Sequence, residues 1–290
     1  MSRILLALII VGLTLGAVWM FVSGNWWFIH TISEHGPKID EQFKWTALVV
    51  AIAFVSSQLA LAYAIVRYRG KSNERSKYTH GNNKLEVIWT VATAVVFIIV
   101  AVLGQRVWAS IHLNQPTDAE STVVEVVAQQ FQWNFHYPGA DGVFGKTNSK
   151  FINDGSLNFV GLDPDDESAK DDVQISTLVI PIKRPVVLRI RSKDVIHSLF
   201  VPVLRIKQDA VPGMNIRLHF TATEVGKYEI TCAELCGSLH YNMKTFLLAL
   251  PTNEYDELAA MTPEKFKERL SELMNRYKVN SSQLETALFN

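Results

Sequence analysis

The chain is poor in cysteine: Cys232 and Cys236 are the only two in 290 residues. It has no net charge, since 28 Lys and Arg balance 28 Asp and Glu. That balance removes any global attraction to nucleic acid or anionic lipid, and no nucleic-acid partner is expected. No internal repeat, long low-complexity segment or C-x-x-C-H haem-attachment motif is present. The haem chemistry of c-type cytochromes is therefore not expected of this chain. Charge is also missing from the apolar stretches Ile4–Val22 and Trp45–Val66, and from Val87–Trp108 except for Arg106 near its end. Each is near the ~20 residues that cross a bilayer.

Indole rings mark the ends of those stretches. Trp26, Trp27, Trp45, Trp89 and Trp108 occupy positions where amphipathic aromatics favour the membrane interface. The loop between the second and third stretches carries Arg67, Arg69, Lys71, Arg75, Lys77 and Lys84 against Glu74 alone. Positive charge stays on the cytoplasmic side, so everything after about residue 110 is expected outside. The first stretch can be read as a signal peptide. Its apolar core is long for one, and bulky Val18-Trp19-Met20-Phe21-Val22 follows where a small-x-small cleavage site belongs. A retained helix is expected.

From about Thr122 the hydrophobic period becomes two. Strands are expected over Thr122–Ala128, Phe131–Tyr137, Thr177–Ile182, Val186–Arg191, Asn215–Ala222, Lys227–Thr231 and Lys244–Leu250. Short strands punctuated by Gly and Pro favour a sandwich or barrel. Residues 139–172 interrupt the pattern with a loop whose second half is acidic, from Asp163 to Asp172. It reads either as a solvated loop or as a negative patch steering a basic partner. Beyond residue 253 two helical pieces are expected. Thr262 caps the second, Pro263 takes its first position, and Phe266, Leu270 and Met274 share one face. The expected organisation is a membrane region (1–110), a β domain (111–252) and a helical tail (253–290).

The densest chemistry lies in Cys232-Ala233-Glu234-Leu235-Cys236-Gly237-Ser238-Leu239-His240-Tyr241-Asn242-Met243. Thiolate and thioether are soft ligands, and with imidazole they suit copper better than magnesium, calcium or manganese. His197 offers a second imidazole. The cysteine pair alone also fits a disulfide. Zinc is the other metal reading, but structural zinc sites do not use methionine. Met243 alone reads as core filler. Taken together the set indicates a copper electron-transfer site, with two sulfurs able to serve one ion or two.

The run Cys232–Met243 resembles the CuA loop of cytochrome c oxidase subunit II. Asp194–Pro202 resembles the upstream histidine segment of that family, and Lys207-Gln208-Asp209-Ala210-Val211-Pro212-Gly213 its K-x-D-A-x-P-G turn. The resemblance runs from about residue 40 to 250. It implies a transmembrane helical hairpin, here with an extra first helix, followed by a Greek-key cupredoxin sandwich. It implies two copper ions held by His197, Cys232, Cys236, His240 and Met243, with Glu234 contributing its backbone carbonyl. The Glu234 side chain would reach a magnesium ion shared with the catalytic subunit. The implied role is electron entry from cytochrome c, or a docked haem-c donor, into an aa3/caa3-like proton-translocating terminal oxidase of the bacterial inner membrane. The implied partners are the haem–copper catalytic subunit I and further oxidase subunits.

Two further segments carry the resemblance. Leu85-Glu86-Val87-Ile88-Trp89-Thr90 is similar to the E-x-I-W-T segment whose Glu opens a proton channel, although an acid there also caps a helix. Gln130-Phe131-Gln132-Trp133-Asn134-Phe135 is similar to Q-W-x-W-x-Y, the aromatic strand at which electrons enter many members. Phe131 stands at the first Trp position and Trp133 at the second, so a different donor surface is expected. The competing functions are a membrane-tethered copper store or chaperone, and a copper-free subunit like those of quinol oxidases. The latter lack the cysteines and histidines found here.

Overall fold

The computed structural model describes residues 2–24, 28–68, 70, 78 and 80–278. The chain divides into two compact units. The first holds three helices, α1 (Arg3–Ser23), α2 (Gly36–Arg67) and α3 (Asn83–His112), each long and apolar enough to cross a membrane. Their faces are largely exposed, as expected of helices solvated by lipid. The Ser2 hydroxyl caps α1 by accepting from the Leu5 amide, and the Asn82 side chain caps α3 by accepting from the Lys84 and Leu85 amides. At 1.5 Å per residue α2 is about 48 Å long, so it outruns a hydrocarbon core of about 30 Å. The surplus is its polar first turns, before the apolar run begins at Trp45. Trp26, Trp27, Arg69, Lys71, Glu74, Arg75 and Lys77 lie outside the described residues.

The second unit is a sandwich of two five-stranded sheets. Its strands are β1 (Thr122–Gln129), β2 (Gln132–Tyr137), β3 (Val173–Ile175), β4 (Leu178–Pro181), β5 (Pro185–Ser192), β6 (His197–Val201), β7 (Ile206–Ala210), β8 (Ile216–Thr221), β9 (Gly226–Cys232) and β10 (Lys244–Leu250). The orders are β3-β2-β1-β5-β8 and β4-β10-β9-β6-β7. Trp133, Phe135, Leu188, Ile190 and Phe220 from one sheet, and Leu199, Ile230 and Leu247 from the other, form one buried core. Seven of the ten strands are those expected from alternation. The others, β3, β6 and β7, are short, and two of them carry the polar residues His197, Ser198, Lys207, Gln208 and Asp209. In β6 the polar His197 and Ser198 are themselves buried, so no apolar alternation marks the strand. Phe131 stands just before β2 rather than inside it.

The boundaries differ from the expected ones at both ends. Ile29–Pro37 precedes the second helix in sequence yet belongs to the β unit. The Ile32 amide donates to the Val203 carbonyl at 2.8 Å, its own carbonyl accepts from the Thr223 amide at 2.7 Å, and its side chain is fully buried. The segment 253–278 is likewise part of that unit rather than a separate tail. Helices α4 (Thr252–Ala259) and α5 (Pro263–Arg276) bury Tyr255, Leu258, Phe266, Leu270 and Leu273 on the sandwich. Met274 packs partly against the same core. Thr262 is the N-cap of α5 and Pro263 its first residue, but the threonine hydroxyl makes no capping bond.

The long β2–β3 loop is fastened at its neck. His136 is fully buried between two carboxylates, with Nδ1 3.0 Å from Glu125 and Nε2 2.7 Å from Asp172. Asp172 also accepts from the Gly139 and Gly145 amides. Burial pulls the His136 pKa down, but hydrogen bonds to Asp172 and Glu125 and their charges carry it above the ordinary value. Four other loop acids are also engaged with the loop. Asp163, Asp166 and Asp171 accept from the backbone amides of Asp165, Lys146 and Asp141, and Glu167 pairs with Lys170. These bonds brace a surface loop and leave most of its negative charge in place.

Candidate metal centre

Strand pairing gathers the expected ligand set. Cys232 ends β9 and lies opposite Leu199 of β6, two residues beyond His197. The Ala233 amide donates to the Ser198 carbonyl, and the Cys232 amide to the Met243 carbonyl at the foot of β10. The loop 233–243 is therefore closed by two strands of a packed sheet.

The two thiol sulfurs lie 3.9 Å apart. His197 Nδ1 is 4.0 Å from Cys232 Sγ, and His240 Nδ1 is 3.6 Å from Cys236 Sγ. Met243 Sδ is 3.7 Å from Cys236 Sγ, and the Glu234 carbonyl oxygen is 3.2 Å from Cys232 Sγ. The arrangement is two central sulfurs with an imidazole on either side, a thioether next to one sulfur and a carbonyl next to the other. His197, Cys232, Cys236 and Met243 are buried, whereas the Glu234 side chain is exposed. The cysteines are free thiols. Burial first, and then the neighbouring Cys232, push the Cys236 thiol up to about 11. A buried thiol that resists ionisation unaided is one whose thiolate a bound cation would stabilise.

The donor set passes a chemical test for copper. It offers sulfur and imidazole nitrogen, no carboxylate, and buried positions that exclude water. The surrounding hydrogen bonds also select the ring nitrogens. Asp194 Oδ1 sits 2.8 Å from His197 Nε2, which fixes the proton there and leaves Nδ1 turned toward sulfur. Burial raises the Asp194 pKa, but hydrogen bonds from the Gln130 amide, His197 and the Val195 amide outweigh it and hold the carboxyl below the usual range. Gln130 donates its side-chain amide to the Cys236 carbonyl at 2.5 Å, joining the β1–β2 turn to the loop.

Trp133 and Phe131 both approach the centre. The Trp133 ring is buried and meets His197 edge-on, with centroids 6.1 Å apart. Phe131 is half-buried against Gly237. Gly237 has φ 135°, and a Cβ there would lie 3.0 Å from the Phe131 ring and 2.9 Å from Gln130 Nε2. Only glycine fits that backbone. Glu86 lies in the first turn of α3, behind the Asn82 cap. Asp194, Gln130 and Gly237 are supporting residues that the sequence reading did not single out. All three lie within the motif segments themselves, so their positions were visible although their roles were not.

Two family models match this chain. Residues 122–249 match the periplasmic domain of cytochrome c oxidase subunit II, and residues 22–107 match its transmembrane domain. Helix α1 lies almost wholly before the second match. The alternative cytochrome c oxidase subunit 2 of Bradyrhizobium diazoefficiens is 33% identical over 251 residues, covering 86% of this chain and 88% of that protein. Cytochrome c oxidase subunit 2 of a Synechocystis species is 27% identical, covering 79% of this chain and 73% of that one. Among solved structures, the periplasmic domain of Bradyrhizobium japonicum oxidase subunit II is similar at 23% identity and TM-score 0.38, covering 52% of this chain and 98% of that domain.

Proposed function

This chain belongs to the cytochrome c oxidase subunit II family, and from that premise we propose that its β unit is the electron-entry domain of an aa3/caa3-like terminal oxidase. Membership makes it a membrane subunit of an oxidase complex, with a periplasmic cupredoxin domain that binds copper. The finer reading is a binuclear CuA centre in a bacterial inner-membrane enzyme. The observation that carries it is the pair of buried sulfurs 3.9 Å apart, each with its own imidazole.

Bound copper would supply a one-electron couple, held by the two thiolates and two imidazoles. The ligands in this reading are His197, Cys232, Cys236, His240 and Met243, with the Glu234 carbonyl. The protein's part is to hold them still. The sheet fixes Cys232 and His197, Asp194 holds the His197 tautomer, and Gln130 pins the loop at Cys236. A donor set complete in side chains leaves no position for substrate, so oxygen chemistry belongs to the haem–copper catalytic subunit. The exposed Glu234 carboxylate is assigned to a magnesium ion at that subunit's surface.

Electrons arrive from cytochrome c or a docked haem-c protein. The exposed apolar side chains Leu235, Leu239 and Tyr241 on the ligand loop suit a donor that docks by surface contact. Phe131 and Trp133 are assigned to the entry route, because Trp133 contacts His197 directly. Glu86, at the opposite end of α3 from the β unit in sequence, is assigned to proton entry. Stopped-flow reduction of the copper-loaded chain by a reduced c-type cytochrome tests the reading. Rapid reduction with weak salt dependence, slowed by Trp133→Ala or Phe131→Ala, is expected. Failure of the cytochrome to reduce the centre, or release of the copper to a mild chelator as from a copper store, would overturn it.

A further inference from the structure

The membrane unit contains a cavity of about 580 Å³ between the first turns of α2 and the last turns of α3. That volume lies within the range of small-molecule sites. Its walls include Lys38, Glu41 and Trp45 from α2, and Leu103, Arg106 and Val107 from α3. The chemistry is split. Two cations and one carboxylate stand beside an indole and two aliphatic side chains.

Arg106 is the unusual member. The apolar run of α3 begins at Val87 and ends just before Gln105. At 1.5 Å per residue that run is about 27 Å, so the guanidinium sits at the depth of the head groups, where hydrocarbon ends. Among the described residues no carboxylate lies within ion-pair distance of Arg106 or Lys38, and Glu41 in the same cavity pairs with neither. A charged side chain at a membrane boundary without a protein partner is expected to find one in the lipid or in water. The neighbouring Trp45 is of the type that anchors at this depth.

We propose that this cavity is a binding site for one glycerophospholipid with an amine head group, of the phosphatidylethanolamine type. The phosphate diester lies between Lys38 and Arg106, and the ammonium faces Glu41. The glycerol and first acyl carbons lie along Trp45, Leu103 and Val107. Charge complementarity argues for this occupant. Two cations match a phosphate, and the extra carboxylate matches an amine that phosphatidylglycerol lacks. The fork of the arginine suits the paired oxygens of a phosphate diester.

The test uses the full chain in its oxidase assembly, extracted in mild detergent, stripped of lipid and examined by native mass spectrometry. Phosphatidylethanolamine, phosphatidylglycerol, phosphatidylcholine and inorganic phosphate are added back separately. One phosphatidylethanolamine per chain should be retained at least tenfold more tightly than phosphatidylcholine. Arg106→Leu should weaken that retention tenfold or more, and Lys38→Gln less. Glu41→Gln should remove the preference over phosphatidylglycerol while leaving lipid bound. Arg106→Lys is the companion variant if Arg106→Leu does not assemble, and it should weaken retention without abolishing it. Equal retention of all three lipids, unchanged binding in both Arg106 variants, or displacement of the lipid by equimolar inorganic phosphate would overturn the proposal. The last result would identify a free-phosphate site.

Discussion

Two buried histidines in the β unit are each held by carboxylate, and they differ in what remains free. His136 has both ring nitrogens occupied, by Glu125 and by Asp172. His197 has only Nε2 occupied, by Asp194, and turns Nδ1 toward a thiol sulfur. The first arrangement is closed and the ring is a structural cation under the β2–β3 loop. The second leaves one ring nitrogen for a metal. Burial and a carboxylate neighbour are common to both, so neither feature identifies a ligand. The free nitrogen and the sulfurs in front of it do.

The largest effect should come from the metal side of the comparison. Cys232→Ser or Cys236→Ser should abolish the two-copper signal altogether, because one thiolate cannot bridge two ions symmetrically. Metal analysis together with the optical spectrum of the purified chain checks this. Retention of two equivalents of copper by either variant would break the assignment.

The closed cluster should answer in stability instead. Removing one partner of a buried ion pair typically costs about 3–5 kcal/mol. His136→Phe should fall toward the low end of that range, since Glu125 keeps Arg189 and Arg191 nearby and Asp172 keeps two backbone amides. Its copper signal should persist. The pH dependence has a defined sign. The folded-state pKa of His136 is raised, so its contribution is fully present below the unfolded value near 6.5 and is lost as pH rises through the folded pKa. Thermal unfolding of wild type and His136→Phe should therefore converge as the pH becomes alkaline. A gap that widens with rising pH would contradict the closed-cluster account.

A smaller effect is expected where carboxylate and metal ligand meet. Asp194→Asn should lower copper affinity roughly 10- to 100-fold, the usual cost of losing the partner that orients a ligating histidine. Competition with a copper chelator measures it, and unchanged affinity would mean that Asp194 only caps the β5–β6 turn. The smallest effect belongs to the membrane unit. Glu86→Gln should slow turnover of the assembled oxidase and leave the copper spectrum untouched. Unaltered turnover would reduce Glu86 to a helix cap.

The two histidines also show how far the sequence could be read. His197 was legible because its segment and the Cys232–Met243 loop form a recognisable pattern, and strand pairing then places them together. His136 carried no signal, since its partners are 11 residues before it and 36 after it. Three strands escaped notice for a related reason. In β6 and β7 the polar residues serve the site or the turn, so alternation is lost. The three membrane helices were plain from apolar length alone. The strap Ile29–Pro37 was not, because nine residues with a single buried isoleucine show no period.

Electron paramagnetic resonance of the copper-loaded full chain tests the central claim most directly. The account predicts two copper ions per chain and a mixed-valence signal split by two equivalent nuclei. A single-copper signal of the blue type, or stoichiometric zinc in the native protein, would contradict it.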